Sequence, residues 1–160
     1  LADDFYLWDT PGMLWPRIVV PESGYNLAAS GAVGRNAYDE ELVALELLRR
    51  LQAHYAPLLE ARYKLGLPPG AMAQLRDDEL LEAIGKKRGA VLGGGRVNLQ
   101  KAAEIVMTDF RTATLGRITL ETPAEFEAWR AIGVLREAER EAKKQARENR
   151  KKKGSGIREP

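Results

Sequence analysis

The sequence predicts a mainly α-helical protein, a helical bundle preceded by a strand–turn–helix unit. Three observations carry that prediction. Apolar residues recur at helical spacing, most clearly in Leu99, Ala102, Ala103, Val106, Met107 and Phe110. Helix-start signals stand ahead of such stretches, among them Asp39-Glu40-Glu41, Asn98 and Thr122-Pro123-Ala124-Glu125. One apolar run, Phe5-Tyr6-Leu7-Trp8, ends at Asp9-Thr10-Pro11-Gly12 and reads as a buried strand stopping at a tight turn.

Residues 13–21 contain two prolines and read as an irregular loop. Residues 22–30 read as a short helix that Gly31 terminates. The segment from Gly31 to Tyr38 is small and polar, and a domain boundary is expected near residue 36. In the next helix, Asp39, Glu40 and Glu41 put negative charge at the positive end of the dipole. Leu42, Leu45, Leu48 and Leu51 then recur every three residues, with Val43 and Leu47 beside them, and Arg49 and Arg50 are expected to close it. Pro57 suits the first position of a separate helix through Tyr63, with Gly66 as its stop and His54 in the connection. Leu67-Pro68-Pro69-Gly70 is a rigid loop. Asp77 or Asp78 is the expected cap of a helix that runs to Lys86-Lys87-Arg88 and ends at Gly89.

Gly93-Gly94-Gly95 lacks a following Gly-Lys-Ser/Thr, so it is no phosphate loop and reads as a flexible link. Asn98 caps the helix after it. Lys101 and Arg111 fall off that helix's apolar face, whereas Met107 and Phe110 belong to the core. Residues 116–121 alternate as a short extended piece. Thr122 to Glu125 form a capping box with proline at the first helical position, opening a helix packed through Phe126, Trp129, Ile132 and Leu135. Beyond Leu135 alanine is its only apolar residue as far as Arg150, so it is expected to leave the body and fray into a disordered tail at Arg150-Lys151-Lys152-Lys153.

Composition bounds the function. The chain has 160 residues, 44% hydrophobic and 30% charged, enough for one moderate core. No apolar run reaches the roughly 18 residues of a membrane span, and no signal peptide is evident. There is no cysteine, which excludes disulfides and thiolate metal sites and fits a reducing cytoplasm. The one histidine, His54, excludes a histidine-rich metal site within this chain. The first residue is Leu rather than Met, which points to a fragment or a processed product. The net charge of +2 conceals an asymmetry: residues 136–153 hold nine Lys/Arg against four Glu, while residues 1–135 hold fifteen against eighteen Asp/Glu. A near-neutral body with a basic tail suggests a polyanionic partner.

Asp9-Thr10-Pro11-Gly12 has the form of the DxxG turn of P-loop GTPases, in which the Asp holds Mg²⁺ through water and the Gly N–H meets the γ-phosphate. Taken with Asn26-Leu27-Ala28-Ala29-Ser30-Gly31, Ile84-Gly85-Lys86-Lys87-Arg88-Gly89, Gly94-Gly95-Arg96-Val97-Asn98, Asp109-Phe110-Arg111-Thr112 and Leu115-Gly116-Arg117, the order and spacing resemble the back half of the circularly permuted ribosome-biogenesis GTPases, the YlqF/RbgA family. The resemblance covers roughly residues 5–130. Met13 directly after the turn fits it, since that family has a hydrophobic residue where other GTPases carry a water-orienting Gln.

The resemblance implies three parts. Residues 1–36 would be the end of the GTPase domain, a strand–turn–helix remnant of an α/β fold. Residues 37–135 would be a helical domain that docks on ribosomal RNA, and residues 136–160 a basic extension. Only Asp9 and Gly12 would belong to the GTP and Mg²⁺ site. The P-loop and the Asn-Lys-Xaa-Asp base reader are absent, so the chain alone is expected to hold no cofactor tightly and to be inactive, although the parent protein would hydrolyse GTP. The implied partners are the large ribosomal subunit and its RNA, in the cytoplasm, with no membrane. Charge and expected exposure assign RNA contact to Lys86, Lys87, Arg88, Arg96, Lys101, Arg111, Arg117, Lys151, Lys152 and Lys153. Two other readings compete: a stand-alone helical RNA-binding module without nucleotide chemistry, and a helical protein-interaction domain with a solubilising tail.

Overall fold

Five α-helices make up most of the structure, a computed structural model that describes residues 18 and 20–155, with side chains through residue 150. They are α1 (Pro21–Ser30), α2 (Glu40–Tyr63), α3 (Asp77–Lys87), α4 (Leu99–Arg111) and α5 (Pro123–Ser155), with 3-10 turns at Arg35–Ala37 and Met72–Gln74. No strand occurs among the described residues. The strand expected at residues 5–8, the turn at 9–12, Met13 and most of the loop at 13–21 lie outside them. No described helix is long and apolar enough to cross a membrane.

The core forms where α2, α3 and α4 pack on one another, with α1 laid against α2 and α4. The buried face of α2 is Val43, Ala44, Leu47, Leu48 and Leu51, and it meets Leu80, Leu81 and Ile84 of α3 and Ala102, Ala103, Val106 and Met107 of α4. Each fully buried leucine contributes about 1.5–3 kcal/mol relative to exposure. Leu48 and Leu51 of the leucine series are buried as expected, with Val43 and Leu47 beside them, and Leu45 packs against the core. A strict period of three drifts around a 3.6-residue helix, so Leu42 at its start is exposed while Val43 and Ala44 take the inward positions.

Two separate helices were expected across residues 39–66, and α2 does consist of two helical segments that meet at a kink. Tyr55, with a φ of −136°, leaves the helical region between residues 40–54 and 56–63. Pro57 accounts for the kink, since its ring has no N–H to donate and crowds the preceding turn. His54 directly precedes this break, and the first segment runs past Arg49 and Arg50, which were expected to close it. The kink aims the Tyr55 hydroxyl at the segment before α5, where it accepts from the Thr119 N–H at 3.0 Å. α2 stops at Lys64 rather than at Gly66. Lys64 has a left-handed φ of 51°, and its N–H donates to the Glu60 carbonyl.

α1 ends as expected. Gly31 takes a φ of 88°, and the N–H groups of Gly31 and Ala32 satisfy the carbonyls of Ala28 and Leu27. α3 begins one residue early: Asp77 and Asp78 lie in its first turn, and the Glu79 carboxylate accepts from the Arg76 N–H. The three glycines at 93–95 form an ordered turn, not a flexible link. Leu92 donates its N–H to the Arg96 carbonyl at 2.7 Å, and Val91 bridges Val97. That turn brings Val97 onto α3 at Gly85. Asn98 caps α4 as predicted, its side chain accepting from the Lys101 N–H.

Residues 116–121 pair as a strand with no other segment among the described residues, and the expected alternation holds: Ile118 and Leu120 pack against the core while Arg117 and Thr119 are exposed. The capping box at the start of α5 is present: Glu125 accepts from the Thr122 N–H at 2.8 Å, and the Thr122 hydroxyl accepts from the Glu125 N–H at 3.3 Å. Arg50 of α2 pairs with the same Glu125 carboxylate, and Glu121 accepts from Ser23 and Asn26 of α1. On α5, Ile132 and Leu135, expected to pack, are 48% and 66% exposed, while Gly133 between them is buried. The expected fraying at residue 150 is also not seen, because the helix continues to Ser155.

Two predictions follow from this packing. A Cβ built on Gly85 would lie 2.5 Å from Val97 Cγ1 and 3.1 Å from Ala102 Cβ. Gly85→Ala is therefore expected to destabilise by about 1–3 kcal/mol in urea unfolding, against the gain of ~1 kcal/mol that helix propensity alone would give. The Arg50 guanidinium, followed by the Thr122 hydroxyl and N–H, holds the Glu125 carboxyl at about 2, below its ordinary 4.5. A carboxyl depressed on folding stabilises the protein above its unfolded value and loses that contribution as pH falls through the folded one. The thermal midpoint should thus drop between pH 4.5 and about 2, and Glu125→Gln should flatten that drop.

Candidate nucleic-acid interface

Cations from two separate helix ends converge on one side of the bundle, beside the turn that follows a third helix. The last turn of α2 supplies Arg62 and Lys64, the end of α3 supplies Lys87 and Arg88, and the turn after α4 contributes Thr114 and Leu115. Together they line an open cleft of about 640 Å³. A second cleft of about 310 Å³ adjoins it, lined by Arg35, Arg88, Lys101, Glu104, Ile105, Thr108 and Asp109. Arg88 borders both, so the two form one surface with six cations and two carboxylates.

Local chemistry explains why these residues stand there. Lys87 and Arg88 complement the negative end of the α3 dipole, as Arg62 and Lys64 do for α2. Their mutual repulsion is relieved by Asp109 of α4, a carboxylate only 6% exposed. Arg62 donates to it in a two-pronged arrangement, Nε to Oδ2 at 2.9 Å and Nη2 to Oδ1 at 2.7 Å. Arg88 lies 4.0 Å from the same carboxylate, with its guanidinium 6.0 Å from the centre of the Tyr63 ring. Tyr63 is buried, and its hydroxyl has no hydrogen-bond partner. Burial first, then the Asp109 charge, pushes its phenol well up, so it stays protonated.

The residues singled out from sequence divide into groups. Lys87, Arg88 and Lys101 share this surface, with Lys101 also paired to Glu104 at 2.9 Å. Lys86 pairs along its own helix with Glu82 at 3.4 Å. Arg96 and Arg117 are exposed, and with Lys86 they line neither cleft. Arg111 faces inward: its Nε donates to the Ala29 carbonyl, and its Nη2 donates to the Ala28 carbonyl and the Tyr38 hydroxyl. It caps the end of α1 from α4. The side chains of Lys151, Lys152 and Lys153 lie outside the described residues, as do Asp9 and Gly12.

Sequence reasoning missed Arg35, Arg62 and Lys64. A faint signal was present in Arg62-Tyr63-Lys64, a cation pair at a helix end. The absence of an exposed aromatic among the cleft residues suits contact with phosphates by charge and shape rather than base stacking.

No protein-family model matches the chain. Over 127 residues, 79% of its length, it is 38% identical to a ribosome biogenesis GTPase A of Priestia megaterium, of which it covers 42%. Over 126 residues it is 39% identical to the ribosome biogenesis GTPase A of Bacillus cereus, of which it covers 41%. A mitochondrial ribosome-associated GTPase 1 of Bos taurus is 32% identical over 122 residues, with 37% of that protein covered. The chain thus spans about two fifths of the length of the bacterial relatives it matches.

The Asp109 cluster makes a testable claim on stability. Arg62→Ala would leave a buried carboxylate with only the distant Arg88 beside it. The expected loss is about 2–4 kcal/mol in urea unfolding, below the figure for a fully buried pair because Arg62 is partly exposed. Arg62→Lys should recover only part of it, since an ammonium cannot make the forked contact.

Proposed function

Because the chain belongs to the ribosome biogenesis GTPase A family, matching the C-terminal part of its members, we propose that it is the ribosome-docking part of a GTPase that acts in assembly of the large ribosomal subunit. The helical body, residues 37–135, grips ribosomal RNA. Residues 1–36 complete the nucleotide domain, with Asp9 holding Mg²⁺ through water and Gly12 meeting the γ-phosphate of GTP in the intact protein. Residues 136–160 are a basic extension. The nucleotide state then times when the protein binds and leaves the particle, and the work takes place in the cytoplasm.

The observation that carries the RNA reading is the convergence of Arg62, Lys64, Lys87 and Arg88 on one cleft, continuous through Arg88 with Arg35 and Lys101. Five of those six cations are exposed, the arrangement that neutralises phosphates without reading bases. Lys86, Arg96 and Arg117 add exposed charge around it. Arg111 is spent on α1 and takes no part. α1 packs on α2 and α4 and on this reading is the joint between the two domains.

A helical protein-docking module is the second reading. It draws on Ile132, Val134 and Leu135, three apolar residues of α5 that stand exposed.

Titrating the chain against large-subunit ribosomal RNA across salt separates the two. RNA docking predicts binding that weakens steeply with salt, each neutralised phosphate adding about 0.9 to the slope of log affinity against log salt on duplex regions. Lys64→Ala with Lys87→Ala should make that slope shallower by roughly two. A folded chain with no affinity at low salt would sink the RNA reading and favour the protein-docking one.

A further inference from the structure

The distal half of α5 carries a second charged feature, separate from the clefts. Glu137 is partly buried, and from residue 138 to 150 every side chain of the helix is exposed. At 100° per residue, Arg136, Arg140, Lys143, Lys144, Arg147 and Arg150 fall within an arc of about 120°. Glu137, Glu141 and Glu148 lie on one flank of that arc and Glu139 and Ala146 on the other, while Ala138 and Ala142 occupy the opposite side. The geometry bears this out, since Arg140, Lys143, Lys144 and Arg147 border one shallow depression together with Glu148. The basic face runs about 21 Å along the axis, with cations on every turn. The helix is anchored at its base by the Thr122–Glu125 box, by Arg50 on Glu125, and by Glu121 on α1.

We infer that this half of α5 is a rigid basic rail that lies along the phosphates of double-helical RNA, a contact independent of the cleft. The inference rests on the reading of this chain as an RNA-docking protein. Three features choose duplex RNA among polyanions. No bulky apolar residue lies between 136 and 156, so the helix has nothing to sink into a membrane surface. The same lack removes the apolar seam that a partner helix would need. No aromatic residue follows Trp129, so single-stranded bases have no stacking platform. What remains is a straight row of cations matched to a stiff row of phosphates. The row is single-faced, which a disordered polybasic tail cannot offer.

The test uses the full chain and a 20-base-pair RNA duplex, followed by fluorescence anisotropy across salt. One variant replaces Arg140, Lys143, Lys144 and Arg147 by alanine. Another, Ala142→Pro, keeps every charge but breaks the helix beyond the core. Circular dichroism and thermal unfolding confirm that each body is folded. Both variants are expected to bind at least about tenfold more weakly near 0.15 M salt, and the first should lose about three from the salt slope. Wild-type affinity in the Ala142→Pro variant would overturn the rail, because the charges would then act without the helix. An unchanged slope in the quadruple variant would overturn it as well. So would equal affinity of the wild type for a single strand of the same length or for vesicles of one-quarter phosphatidylserine. The Lys64→Ala, Lys87→Ala pair on ribosomal RNA tests the cleft separately. If that pair loses binding while the α5 variants do not, the docking reading stands and the rail fails.

Discussion

Asp109 is the one charged side chain among the described buried residues, and three helices are arranged around it. Taking a carboxylate out of water is costly unless it is paired and hydrogen-bonded. Arg62 meets that requirement from the end of α2, and Arg88 stands at the edge of reach from the end of α3. The consequence is geometric as much as energetic. Two helix ends that would repel each other are held side by side, and the cleft between them stays open and basic. Tyr63 closes the floor beneath Arg88 and supplies an apolar ring where a further charge would disturb the balance.

The same chemistry holds the ends of the chain to the body. Arg111 reaches from α4 to the last carbonyls of α1, and Arg50 reaches from α2 to the first turn of α5. A guanidinium on a long stem can satisfy orphan carbonyls or a carboxylate at a distance that a backbone group cannot span. Arginine in this protein therefore has two occupations. Arg50, Arg62 and Arg111 are committed to the fold, whereas Arg96 and Arg117 are exposed, and Arg88 lies between. Counting basic residues along the chain cannot separate these classes.

Several elements were legible residue by residue. Asn98 and the face from Leu99 to Phe110 define α4, Thr122 to Glu125 define the start of α5, and Gly31 marks the end of α1, because each signal is local to one turn of helix. Of the leucine series in α2, Leu48 and Leu51 were legible as core, but Leu42 was not, since Leu42 and Val43 are equally apolar and only the neighbours decide which is buried. The glycines at 93–95 looked flexible because their order comes from the Leu92–Arg96 pairing and from Val97 seated on Gly85. Of the candidate surface, Lys87, Arg88 and Lys101 were legible as charges at exposed helix positions. Arg35, Arg62 and Lys64 were not, because they lie far from those residues in sequence and join them only through the packing of α2, α3 and α4.

By itself, then, the sequence determined the helical class, most helix boundaries, the basic character of the C-terminal stretch and the family to which the chain belongs. These follow from periodicity, caps, composition and motif order, all properties of short segments or of their succession. Tertiary structure alone decided which arginines face solvent and which cations share a cleft. Those outcomes depend on which helix ends meet, and helix ends meet where buried side chains such as Leu48, Ile84 and Met107 fit together. That fit is a property of three segments at once, and no window along the chain contains it.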